Sequence, residues 1–121
     1  MPQDISMTNA EYRLSDIVWK NEPILSPVLC QLCEKQLGWK RTTTYTVLKK
    51  LCERNLMQNK AARVTSLIKR DQVLQHDSRT IVENRFNDGL PQFIAAFLSN
   101  RRLSTEEAEQ LKTLIDRHKA D

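Results

Sequence analysis

Cys30 and Cys33 form a C-x-x-C pair. With Cys52, His76 and His118 they are the side chains of this 121-residue chain best suited to hold a soft metal or cycle electrons. Their spacing completes neither site. Structural zinc takes four ligands, and the two histidines lie far from the pair and from each other. Three cysteines, an odd number, do not make a disulfide framework. The pair reads as small apolar side chains of a core, and no metal or other cofactor is expected. The chain has no G-x-S-x-G, no P-loop and no paired catalytic groups, so an enzyme is not expected.

The chemistry that the sequence does carry is polyanion binding. Residues 1–70 hold a net charge of +6 and residues 71–121 a net of −2, which make the chain's +4. Between Lys35 and Arg70 ten basic residues face Glu53 alone. One end of the protein therefore attracts phosphates and the other does not. Inside the basic window stand Lys40, Arg41, Thr42, Thr43, Tyr45 and Thr46. Threonine hydroxyls donate to phosphate oxygens, and threonine methyls touch the thymine methyl. So many β-branched residues in one helical turn do not serve helix propensity. Lys49, Lys50 and Arg54 follow where a helix would carry them along a DNA backbone. Lys60 and Arg63 come next, placed to touch a neighbouring phosphate or the minor groove.

These residues need elements to hold them. Thr8 and Glu11 make a capping box that opens a first helix, whose stripe is Ala10, Leu14, Ile17 and Val18. Pro23 breaks the chain. Ser26-Pro27 opens a second helix, with serine as N-cap and proline in the first turn. Its stripe is Val28, Leu29, Leu32, Cys33 and Leu37, and Gly38 closes it. Trp39 reads as a core plug and Trp19 as core or rim. A third helix, Thr42–Arg54, starts at Thr42 or Thr43 as N-cap and buries Val47, Leu48 and Leu51. Leu56-Met57 and Arg63–Ile68 read as two short strands around a turn at Lys60-Ala61-Ala62. That turn lacks the usual glycine or asparagine. Three helices and a hairpin make a winged helix-turn-helix plan, in which the third helix enters the major groove.

From Asp71 the pattern is helical again: Asp71–Phe86, a turn at Asn87-Asp88-Gly89, the apolar stretch Leu90–Leu98, and a last helix to about His118. Ser104 and Glu107 suggest a second capping box, with Leu103 as a staple against Ala108. Fifty residues in three short helices cannot bury Leu90, Phe93, Ile94, Phe97, Leu98, Leu111, Leu114 and Ile115 unaided. A second copy would cover them and would present two reading helices to two half-sites. The expected architecture is mainly α with a small β-hairpin: a winged helix-turn-helix DNA-binding domain at 1–70 and a helical dimerisation domain at 71–121.

At this point the chain resembles the penicillinase-repressor family, which includes copper-responsive relatives. The shared pieces are N-A-E-x-x-L-x-D-I-V-W-K at Asn9–Lys20 and W-x-x-x-T-x-x-T-x-L-x-x-L at Trp39–Leu51. To these are added Arg63-Val64, N-R-F at Asn84–Phe86 and F-L-x-N-x-x-L-S-x-E-E at Phe97–Glu107. The resemblance implies a homodimeric repressor on inverted-repeat operator DNA, with Thr43 and Thr46 at the family's recognition-helix threonines. It also implies a sensor protease as a further partner, cutting an Asn-Phe bond in the dimerisation domain. Ala96-Phe97 stands at that bond here. Ala62 replaces the family's wing-tip glycine, and Leu67-Ile68-Lys69 replaces its Y-x-P. The C-terminal cysteine motif of the copper-responsive branch is absent.

The expected function is therefore a cytoplasmic, sequence-specific transcriptional repressor. No run approaches the roughly 20 apolar residues of a membrane span, and Met1–Ala10 has no signal-peptide pattern. The rival reading is a winged-helix adaptor that binds protein and not DNA, since fold alone does not decide function.

Overall fold

The computed structural model describes residues 4–120, so the first three positions of the Met1–Ala10 stretch lie outside the described residues. In chain order it forms α1 (Asn9–Asn21), β1 (Ile24–Leu25), α2 (Ser26–Leu37), α3 (Arg41–Glu53), β2 (Met57–Lys60) and β3 (Arg63–Ser66). Then follow α4 (Arg70–Arg85), α5 (Leu90–Leu98) and α6 (Thr105–Arg117). The architecture is the expected one: helices, a small sheet carrying a hairpin, and a helical C-terminal segment. The chain divides into two compact units, Met1–Arg79 and Thr80–Asp121, and the division falls inside α4.

In the first unit α1 opens as expected. Thr8 Oγ1 accepts from the Glu11 N–H at 3.1 Å, and Glu11 Oε1 accepts from the Thr8 N–H at 2.9 Å. Leu14, Ile17 and Val18 turn inward and meet Leu29 and Cys33 of α2 and Leu48 and Leu51 of α3. Leu56, Met57 and Val64 close the core from the sheet side, with Ile68 before α4 and Val73 in its first turn completing it. Trp39 packs against this core, as does Trp19, whose indole N–H donates to the Ile68 carbonyl at 2.9 Å. Arg70 stacks over the Trp19 ring and pairs with Asp16, which fixes the start of α4 on α1. The cysteines are free; Cys30 and Cys33 are buried, the place of small apolar side chains.

Four local expectations need correcting. Ser26 is the first residue of α2 and not its cap: Leu25 is the extended N-cap residue, and Ser26 is buried. Val28, assigned to the buried stripe of α2, is exposed. After Pro23 the chain does more than break, because Ile24 and Leu25 add a third strand. The sheet order is β1-β3-β2, antiparallel throughout, with Ile24 opposite Val64 and Leu25 opposite Arg63. Two residues are too short for a periodic signal; pairing to β3 and burial of Ile24 make the strand. Finally, Gln58–Lys60 are strand residues, and the wing turn is Ala61-Ala62 alone. Its φ angles are 51° and 63°, the left-handed values that a two-residue hairpin demands and that alanine adopts at a cost.

In the second unit Phe86 meets Phe93 edge-on at 5.4 Å, and Phe93 lies 6.5 Å from Phe97. Gly89, with φ of 80°, makes the turn into α5. Ser104 Oγ accepts from the Glu107 N–H at 3.1 Å, the cap side of the expected box. Neither α5 nor α6 buries a single residue below the surface of the chain.

Candidate nucleic-acid interface

The turn between α2 and α3 is set by Gly38, whose φ of 70° ends α2 in the left-handed conformation. The Gly38 N–H donates to the Glu34 carbonyl at 3.0 Å and the Trp39 N–H to the Cys33 carbonyl at 3.3 Å. The chain then extends through Lys40, the N-cap residue of α3, and the helix starts at Arg41. Thr42 and Thr43, the expected caps, therefore lie inside the first turn. No side chain caps this helix, whereas Thr8 caps α1 and Ser104 caps α6. The N–H groups at its start are left for an outside acceptor, the arrangement that suits a phosphate.

Thr44, Leu48 and Leu51 form the buried side of α3. Thr44 went unnoticed in the sequence, although the 44–48–51 spacing places it on that face. Its hydroxyl is buried without a hydrogen bond of normal geometry and faces the Cys33 thiol. Burial pushes that thiol above its ordinary value, and likewise Cys52. Such shifts suppress the thiolate needed for nucleophilic or metal chemistry.

Lys40, Arg41, Thr42, Thr43, Thr46, Lys49 and Lys50 are exposed, and so are Lys60 and Arg63 on the wing. Thr46 donates its hydroxyl to the Thr42 carbonyl at 2.8 Å, leaving its methyl and oxygen lone pairs to face outward contacts. Lys49 stands 4.0 Å from Glu53, an exposed pair that water and salt screen. The Lys60–Arg63 pair brackets the turn and so brings two cations to the wing tip.

Two residues of the expected set, Tyr45 and Arg54, are half-buried and held by partners elsewhere in the chain. Tyr45 is half-buried, and its hydroxyl donates to Ser26 Oγ at 3.4 Å while the Arg41 guanidinium lies 5.9 Å from its ring centre. Arg54, read as a phosphate contact, holds the Glu11 carboxylate at 3.2 Å and donates to the Asp4 and Ser6 carbonyls. Its side chain is 30% exposed and that of Glu11 only 9%. Arg54 thus staples the end of α3 to the start of α1. Nothing in the local sequence pointed to this, because Glu11 lies 43 positions away.

The residues assigned to dimerisation all fall in the second unit. Leu90, Ile94, Phe97, Leu114 and Ile115 are exposed, and Phe93, Leu98 and Leu111 are half-buried. Phe93, Ile94, Phe97, Leu98, Leu103 and Leu111 line an apolar groove of about 230 Å³ between α5 and α6. Among the described residues no cluster of three metal-ligating side chains occurs, and no helix is long and apolar enough to cross a membrane.

A helix-turn-helix of α2 and α3, followed by a β2–β3 wing, defines the winged-helix class of proteins. Residues 7–117 match the penicillinase repressor family, and the chain belongs to it. It is thus one of a family of transcriptional repressors. The penicillinase repressor of Bacillus licheniformis is 26% identical over 117 residues, covering 93% of this chain and 91% of that protein. The methicillin resistance regulatory protein MecI of Staphylococcus aureus is 18% identical over 115 residues, covering 92% and 94%.

Proposed function

We propose that this chain represses transcription in the cytoplasm as a homodimer, binding an inverted-repeat operator through α3 and the wing. The observation that carries the reading is the outer side of α3. Seven cationic or hydroxyl side chains there, from Lys40 to Lys50, surround a helix start that no side chain caps. Lys40, Arg41, Lys49 and Lys50 supply phosphate contacts, and the wing residues Lys60 and Arg63 extend the same field. Thr42, Thr43 and Thr46, all exposed, read base edges and thymine methyls in this proposal. The C-terminal segment, residues 71–121, supplies the pairing, because its exposed apolar side chains lack cover within the chain. A two-fold dimer sets its reading helices about 34–36 Å apart, one turn of DNA.

The test is a mobility shift on the chain's own upstream region. Between 50 and 200 mM salt the affinity should fall by about 10³–10⁵ if six to ten phosphates are neutralised. Arg41→Ala and Lys50→Ala should weaken binding to every sequence, whereas Thr46→Ala should also narrow the gap between operator and random DNA. No shift at low salt would overturn the reading and favour an adaptor.

A further inference from the structure

Tyr45 sits in the middle of the reading helix, yet its hydroxyl points back into the protein. It donates to Ser26 Oγ at 3.4 Å, and Ser26 is buried at the start of α2. The Ser26 backbone N–H in turn donates to the Ala62 carbonyl, at the wing turn, at 2.7 Å. On the other side the Arg41 guanidinium lies 5.9 Å from the centre of the Tyr45 ring, and its pKa is raised chiefly by Tyr45. Arg41 thus lies against a ring that Ser26 anchors, and the Ser26 amide is itself bonded to the wing turn. The geometry points to Tyr45 and Ser26 as positioning residues that hold Arg41 at the head of α3 and tie it to the wing.

This rests on the reading that α3 meets DNA. An arginine on an exposed first turn has rotamer entropy to lose on gripping a phosphate. Restraining it beforehand lowers that loss, so the clamp contributes to affinity without touching DNA. Tyr45 therefore acts through Arg41. It also gives the wing a means of influencing the recognition helix, because the Ala61-Ala62 turn and the Arg41 clamp share Ser26.

Two measurements decide the matter. The first needs no DNA: the NMR order parameter of the Arg41 Nε–Hε bond in the free protein. Tyr45→Phe and Ser26→Ala should each drop it toward the flexible range, below about 0.6, with the circular dichroism of the folded chain unchanged. Equal Arg41 mobility in the parent protein and both variants would overturn the clamp. The second is a double-mutant cycle on operator DNA. Tyr45→Phe should weaken binding by about three- to tenfold, the effect of one hydrogen bond, and reduce the salt slope toward that of Arg41→Ala. Adding Tyr45→Phe to Arg41→Ala should cost nothing more. Losses that multiply would mean that Tyr45 touches DNA itself, and the positioning role would fall. If the parent protein gives no shift at all, the DNA reading fails, while the order parameter still decides whether the clamp exists.

Discussion

The two compact units treat their apolar side chains in opposite ways. In the first, Leu14, Leu29, Leu51, Leu56 and Val64 are wholly removed from water, and seven elements, α1 to α4 and all three strands, contribute to one core. In the second, α5 and α6 bury nothing; Phe97 is 54% exposed and Ile115 61%. Both units have comparable helices and at least one good cap. The difference lies in cover: three helices and a sheet enclose a core, whereas two short amphipathic helices leave one face open. A basic head with an enclosed core, and a tail whose apolar face lies open, are what the proposed dimer would need.

The comparison can be broken at several points. Leu51→Ala removes a fully buried side chain from the centre of the head, and should cost about 3 kcal/mol, read as a fall in the melting temperature. A small loss there would mean that the head core is not self-sufficient. Ile115→Asp changes an exposed position, so the head should melt as before while the dimer dissociation constant rises by about thirtyfold or more. Sedimentation at micromolar concentration reads this directly. A monomeric parent protein, or a variant that pairs as well as the parent, would sink the idea of an unpartnered tail. Arg54→Ala leaves the Glu11 carboxylate without its cation, and should cost about 2 kcal/mol of head stability. The salt slope of DNA binding should not move; a drop of about one unit would return Arg54 to the phosphate-contacting set. Ala62→Gly relieves a left-handed alanine, and should stabilise the wing by about 1 kcal/mol. Slower amide exchange across β2 and β3 would report it.

Much of the local chemistry was legible where a signal sat within one or two helical turns, although Ser26, Thr42 and Thr43 proved to be helix residues and not caps. The Thr8–Glu11 box, the Gly38 stop, the Ser104 cap and the stripe of α1 all appear as the spacing indicates. So does the set of exposed cations and threonines on α3, because burial of Leu48 and Leu51 leaves the other side outward. The Ala61-Ala62 turn runs against its own propensity. It forms because β1 and β2 both pair with β3, and because the Ser26 amide grips the Ala62 carbonyl.

What the sequence determined alone is therefore the class of the protein: a basic, threonine-rich third helix between a glycine stop and a wing, followed by helices with an uncovered apolar face. These follow from side-chain type and period, and need no knowledge of distant neighbours. Only the tertiary structure decided which of the polar residues of α3 and its end face outward. Arg54 is taken by Glu11 from 43 positions away, and Tyr45 is turned inward by Ser26 from 19 positions away. A buried carboxylate or hydroxyl must find a partner wherever the fold brings one, and that choice is made in space and not along the chain.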